Sequence, residues 1–400
     1  MKSLNNKIVV LQSLLVAFFA DIRCINWGLT QGSFVGEGVM ALLYIGVVGL
    51  IMLSVVFSQM KLRYNFRTYS VFFLLYLLLY YALTSAFVAP PVISVPFFLI
   101  FTITAFILPH LTKVDAKIML KAMIIYPFFS IFRLQSIFAS TLSWKMALPM
   151  DVSYGYLIPI VANIVFLAFY FKEERTLAKV VMILFSLINL VFFIQILLFG
   201  SRGPLLCVFL LICVLCCLKL DSHKKVKVNK RRVRITLITG IFVAIFFIPF
   251  LSLLEGWLAN WDIEVSAISK IIRLQAEEGD FSNGRDELNT LTWNGIYNSP
   301  IFGHGLDQYD NNHPGESYPH NFLLQILYDG GIWLFLIMSP IFIQSIKFLK
   351  DRSYSEYAIY LTLFFASVPG ALFSQDLWNI PVLWMFFGFV VSKVFVVTPK

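Results

Sequence analysis

The stretch VVMILFSLINLVFFIQILLFGSRGPLLCVFLLICVLCCLKL, Val180 to Leu220, decides the fold. It holds two apolar runs, each close to the about 20 residues a helix needs to cross a hydrocarbon core, parted only by Gly200, Ser201, Arg202 and Gly203. Gly200 and Gly203 let the backbone turn tightly, and Pro204 suits the first turn of a helix, where an N–H is not needed. The stretch reads as two membrane-crossing helices with Arg202 in the turn between them, at the membrane face.

The rest of the chain repeats this pattern. Of 400 residues, 59% are hydrophobic and 13% charged, with a mean hydropathy of +0.81, whereas a soluble domain carries about 25% charged residues. Apolar segments fall at 8–27, 38–59, 69–88, 92–111, 118–140, 154–171, 178–199, 204–220, 235–254, 322–348, 355–373 and 377–397. The expected fold is an all-α polytopic membrane protein, one integral membrane domain over 1–400, with about twelve transmembrane helices. One large extracytoplasmic loop containing short helices, residues 255–320, joins the ninth to the tenth.

Cytoplasmic loops of membrane proteins carry the excess of Lys and Arg. An inside N-terminus puts Lys61, Arg63 and Arg67, Lys113, Lys117 and Lys121, Lys172, Arg175 and Lys179, Lys347, Lys350 and Arg352 on one face. The basic run Lys219–Arg234 joins them. Both termini are then cytoplasmic, and Arg23, Lys145, Arg202, Lys270, Arg273 and Arg285 face outward. The net charge of +9 reflects this sidedness, and no nucleic-acid partner is expected. The first apolar segment reads as a retained span rather than a cleaved leader, since apolar sequence resumes after Arg23 with no Ala-x-Ala site before it. Cys207, Cys213, Cys216 and Cys217 lie together in one apolar span without the polar partners a metal site needs.

Within the large loop, IEVSAISKIIRLQAEEG has the spacing of an amphipathic helix lying in the membrane interface. SNGRDELNTLTWNGIYNSP predicts a second helix, with Asn283 as N-cap, Arg285 in the first turn, Leu288, Leu291 and Ile296 on an apolar side, and a stop at Pro300. A cation in a first turn opposes the helix dipole, so helix stability does not explain Arg285.

Three outer residues are candidates for chemistry. Arg202 either snorkels to lipid headgroups or, with Arg285, grips a diphosphate, because the guanidinium fork gives paired hydrogen bonds and stays charged. His320, just ahead of the tenth span, either caps that helix with Asn321 or accepts a proton from a hydroxyl near neutral pH. His304, His313 and His320 match no zinc spacing and have no cysteine partners, and no Asp-x-Asp pair occurs in an outer loop. No metal and no other cofactor is expected.

The motifs GSRGPLL, GRDELNTLTWNGIYNSPIFGHG and YPHNFLLQILYDGG, in this order over residues 195–335, resemble the bacterial O-antigen polymerase and O-antigen ligase superfamily. These are undecaprenyl-diphosphate-dependent membrane glycosyltransferases. The resemblance implies a metal-independent, inverting reaction on the periplasmic side of the inner membrane. His320 would be the base and Arg202 and Arg285 the diphosphate-binding pair, with Ser201, Gly203, Tyr318 and Asn321 in support. It implies as partners an undecaprenyl-diphosphate-linked glycan donor, a glycan acceptor (a lipid-linked repeat unit or lipid A-core), membrane lipids, a chain-length regulator and a flippase. In the ligase pattern the His-Asn pair is followed by nine residues, Gly, two residues and then Gly, Thr or Tyr; here Gly331 fits and the last position is Leu334.

The leading expectation is a polymerase that joins oligosaccharide repeat units on undecaprenyl diphosphate, ahead of a ligase that moves the glycan to lipid A-core. A twelve-helix transporter is a third reading. Transporters usually show internal repeats and ionisable residues at mid-membrane; no repeat is visible, and Arg133 is the one cation well inside a span.

Overall fold

A computed structural model describes residues 2–20, 37–57, 68–126, 150–199, 202–220, 226–260, 285–348 and 352–392, with isolated positions 272 and 396. It is mostly helical. In chain order the helices are α1 (Lys2–Ala20), α2 (Glu37–Phe57), α3 (Thr68–Phe87), α4 (Val95–Leu111), α5 (Ala116–Ile125), α6 (Met150–Phe169), α7 (Thr176–Phe199) and α8 (Arg202–Cys217). A two-stranded antiparallel hairpin, β1 (Leu218–Leu220) and β2 (Val226–Val228), leads into α9 (Lys230–Ala259). The loop helices α10 (Arg285–Asn298) and α11 (Tyr309–Asn312) follow, then α12 (Phe322–Phe348), α13 (Tyr354–Phe373) and α14 (Pro381–Val391).

Four helical stretches among the described residues are long and apolar enough to cross a membrane: Thr68–Phe87, Thr176–Leu197, Phe322–Phe348 and Tyr354–Phe373. Six shorter apolar helices accompany them, Pro381–Val391 and Gly203–Cys217 included. Burial sorts them by depth. The apolar window of α13 is 78% enclosed by protein, against 22% for α3, so α13 is an inner helix and α3 an outer one. Val71, Phe72, Leu75 and Leu79 on α3 are exposed, which suits a helix whose apolar face meets lipid rather than water. Around α13 the core is aromatic: Trp378 stacks on Trp384 at 5.5 Å between centroids, and Trp384 stacks in turn on Phe73 at 6.3 Å.

Two expected elements lie partly or wholly outside the described residues, and one takes a different form. The segment 118–140 is described only as far as Tyr126, within and just beyond α5, and Arg133 lies outside the described residues. The proposed interfacial helix of the outer loop and Asn283 also lie outside them, apart from Ile272. The difference is at 322–348, which is not one straight helix but is kinked at Gly331, with φ 60° and ψ −161°. This conformation is open essentially to glycine alone, and a Cβ there would collide with the Ile301 backbone.

The kink binds the loop ahead of α12 to the bundle. Ile332 and Trp333 turn their N–H groups away from α12 and donate to the carbonyls of Pro300 and Ile301 at 2.9 and 3.2 Å. In return His304 and Gly305 donate to the carbonyls of Tyr328 and Asp329, each at 2.9 Å. Backbone groups freed inside a span must find partners, and here the loop supplies them.

Candidate functional site

Four chain ends meet around Ser374, which closes α13 and is buried. Arg285, the first residue of α10, donates from Nη2 to Ser374 Oγ at 3.2 Å. Tyr318 donates its hydroxyl to the Ser374 carbonyl at 2.9 Å. Tyr154 of α6 brings its buried hydroxyl up to Ser374 Oγ without closing a full hydrogen bond. A Cβ on Gly203, in the first turn of α8, would collide with that tyrosine hydroxyl and come within 3.4 Å of Ser374 Oγ. Only a glycine allows α8 to start this close. The motifs around residues 203, 285 and 320, far apart in sequence, therefore share one location.

The position of His320 differs from that of an ordinary cap. Its ring packs on Tyr318 at 4.4 Å between centroids and faces the Ser374 carbonyl, while Nδ1 is buried with no hydrogen-bond partner. Its backbone is in the left-handed region, φ 56°, a conformation that histidine adopts more readily than most residues but that still costs energy. The capping role belongs to Asn321, whose Oδ1 accepts from the N–H groups of Leu323 and Leu324 at 2.9 and 3.3 Å. Of the two roles left open for the His-Asn pair, the capping one thus falls on Asn321 alone.

Burial, and then the Arg285 guanidinium, hold the imidazole below its ordinary pKa of 6.5, against the opposing pull of the Ser374 carbonyl and Glu316. A ring so placed is neutral at pH 7, with a bare nitrogen ready to take a proton. Arg285 donates one hydrogen bond to Ser374, and its guanidinium carries further N–H donors in a fixed fork. Arg202 opens α8 beside Gly203, but its side chain and Ser201 lie outside the described residues.

Other outer-loop polar groups secure the loop. His304 Nε2 lies 2.8 Å from the Gly295 carbonyl, and its ring stacks on Tyr328 at 4.6 Å. His313 Nε2 is 3.2 Å from the Tyr328 hydroxyl. Among the described residues no three His, Cys, Asp or Glu side chains are grouped to share a metal ion. The buried face of α10 is Thr292, Gly295 and Ile296, whereas Leu291, expected on the apolar side, is 40% exposed. Below the loop, Asp307 Oδ2 accepts from the Ile93 N–H at 2.5 Å, Asp329 Oδ2 from Trp378 Nε1 at 2.7 Å, and Asp376 Oδ1 from Gln325 Nε2 at 2.6 Å. These three carboxyls pin the 303–308 loop and the 374–380 turn to the helix ends.

Ser374 and Tyr154 have no signature in the sequence. The one available clue is that the Ser374-Gln375-Asp376 turn joins the eleventh and twelfth apolar segments, a connection the charge asymmetry assigns to the same outer face as His320.

Together, the apolar helices and a pocket that brings a guanidinium and a half-buried imidazole to one serine describe a helical membrane protein with a polar site at its helix ends. Residues 187–339 match the family model described as O-antigen ligase, and this stretch is similar to the O-antigen polymerase and ligase superfamily. No curated protein matches the chain. The matched stretch contains Arg202, Arg285 and His320 but neither Tyr154 nor Ser374, so the pocket is completed by residues on both sides of it.

Proposed function

We propose that this protein is a polymerase that joins undecaprenyl-diphosphate-linked oligosaccharide repeat units at the outer face of the bacterial inner membrane. The observation that carries the reading is the placing of Arg285 and the bare Nδ1 of His320 around one residue, Ser374. His320 removes the proton from an acceptor hydroxyl, whose oxygen attacks the anomeric carbon of the donor sugar. The bond from that carbon to the lipid diphosphate breaks, and the configuration inverts. Arg285, with Arg202 opening the neighbouring helix, stabilises the charge growing on the departing diphosphate, a task for fixed donors in a water-poor pocket. No metal ion has a part in this scheme.

In this reading about twelve spans cross the membrane with both termini in the cytoplasm and the 255–320 loop in the periplasm. The pairing of Lys117 and Lys121 with Glu174, at 2.9 and 2.6 Å, supports that sidedness, since it joins two of the basic clusters at one end of the bundle. The donor arrives from the membrane and the acceptor sugar from the periplasm; a flippase and a chain-length regulator would act before and alongside this step.

A ligase that moves the finished glycan to lipid A-core is the second reading, favoured by the description of the matching family. Against it stands Leu334, where the ligase pattern has Gly, Thr or Tyr; it is fully buried and packs against Gly330. Deleting the gene and running the lipopolysaccharide on a gel separates the two. Core bearing a single repeat unit supports the polymerase, bare core with polymer retained on the lipid carrier supports the ligase, and an unchanged pattern overturns both.

A further inference from the structure

At the end of α8 far from the His320 pocket, α8 and α9 part and leave a groove. The 16 residues of α8 place this end about 24 Å from the pocket, at roughly 1.5 Å per residue. The groove encloses about 520 Å³ between Phe209, Ile212, Cys213 and Ile235, and Arg232 lies at its rim. Gly240 forms part of the wall, and a Cβ there would meet nothing within 4 Å. The groove, which Thr236 and Thr239 also line, is thus mostly apolar along its length and cationic at one end.

Among the described residues the cationic end has no counter-charge. Lys230, Arg231, Arg232 and Arg234 crowd the first five residues of α9, whose first turn has no acidic residue, and among the described residues none of the four has an ion-pair partner. Like charges repel there, and the helix dipole opposes all of them. Arg232 Nη1 donates to the Leu218 carbonyl at 2.6 Å, which fixes the guanidinium at the rim and leaves its other donors for a ligand. A phosphate diester with attached acyl chains has the matching chemistry: an anion for the fork and hydrocarbon for the groove.

We infer that the α8–α9 groove is a binding site for one anionic phospholipid, its phosphate on Arg232 and an acyl chain against Phe209, Ile212 and Ile235. The site is separate from the transferase reading and stands whether or not that reading holds.

Native mass spectrometry of the purified full-length chain, offered phosphatidylglycerol or phosphatidylcholine at equal concentration, tests this. The expected result is one retained phosphatidylglycerol, preferred about tenfold or more over the zwitterionic lipid. Arg232→Ala should erase the preference. Gly240→Leu, which keeps every charge and grows into open space, should remove the bound lipid itself. Equal retention of the two lipids by the unaltered chain overturns the inference, as does undiminished phosphatidylglycerol on both variants. So does an acyl mass that survives denaturation, which would show the groove filled by a chain esterified to Cys213 or Cys216.

Discussion

Arg285 Nη2 and Ser374 Oγ lie 3.2 Å apart although 89 residues separate them in the chain. The bond joins the start of a loop helix to the end of an inner helix, so the cation is in place only when the large outer loop is docked. Ser374 also presents its carbonyl to Tyr318 and to His320, and one residue thereby sets the position of both the guanidinium and the imidazole of the pocket.

Ser374→Ala keeps the carbonyl and loses the hydroxyl. A hydrogen bond to a charged group contributes about 1.5–3 kcal/mol, so a fall in transfer rate of about tenfold or more is expected in an assay with purified protein and lipid-linked donor, with membrane abundance unchanged. Arg285→Lys should fall further, because an ammonium lacks the fork that grips a diphosphate. Full activity in Arg285→Lys would remove the diphosphate role from Arg285.

His320→Ala should abolish transfer at unchanged abundance, while Asn321→Ala should lower the melting temperature through loss of a cap, about 1 kcal/mol, and leave a measurable rate. The pH profile gives an independent check. Burial and Arg285 hold the imidazole below 6.5, so the neutral, proton-accepting form already dominates at pH 7 and is lost on acidification. The rate should be level through neutral pH and drop with a midpoint below 6.5; a midpoint above that value would mean another group is the base.

Asp307 predicts a pH effect on stability with the opposite sense. Burial, and then the nearby Asp376, push its carboxyl up from 3.8 to about 7, against the Ile93 N–H. A raised carboxyl pKa means that the fold binds a proton the unfolded chain releases. Its contribution is full below the unfolded value of 3.8 and is lost as pH rises through about 7. Thermal melts in detergent should decline between pH 5 and pH 8, and Asp307→Asn should flatten the decline. An equal slope in the variant would assign the effect elsewhere.

Gly331→Ala should cost about 1–3 kcal/mol from backbone strain alone, with the collision against Ile301 added. Loss of folded protein in the membrane fraction, or a lowered melting temperature, is the expected readout. Because the kink carries the loop hydrogen bonds, limited proteolysis should cut the 300–320 region of this variant faster than that of the parent.

The helical, membrane-embedded character of the chain was legible from Val180–Leu220 onward, because span length and apolar content are local quantities that each segment carries by itself. The candidate residues were legible too: an arginine beside hydrocarbon and one in a helix first turn are costly where they stand, and cost without local benefit marks them. Leu291 misled for the complementary reason. Spacing shows that one side of α10 is apolar, but which part of that side is covered depends on what packs against it, and Gly295 and Ile296 are what Tyr328 and its neighbours cover.

What the sequence by itself determined is the class of protein, a helical membrane protein, and the choice of Arg202, Arg285 and His320 as candidates. What only the tertiary structure decided is that Gly203, Arg285 and His320 meet at Ser374, with Tyr154 alongside, and that Asn321 rather than His320 caps α12. Hydropathy and charge add along a chain, whereas convergence depends on a kink at Gly331 and a close approach at Gly203, each fixed by contacts with segments distant in sequence.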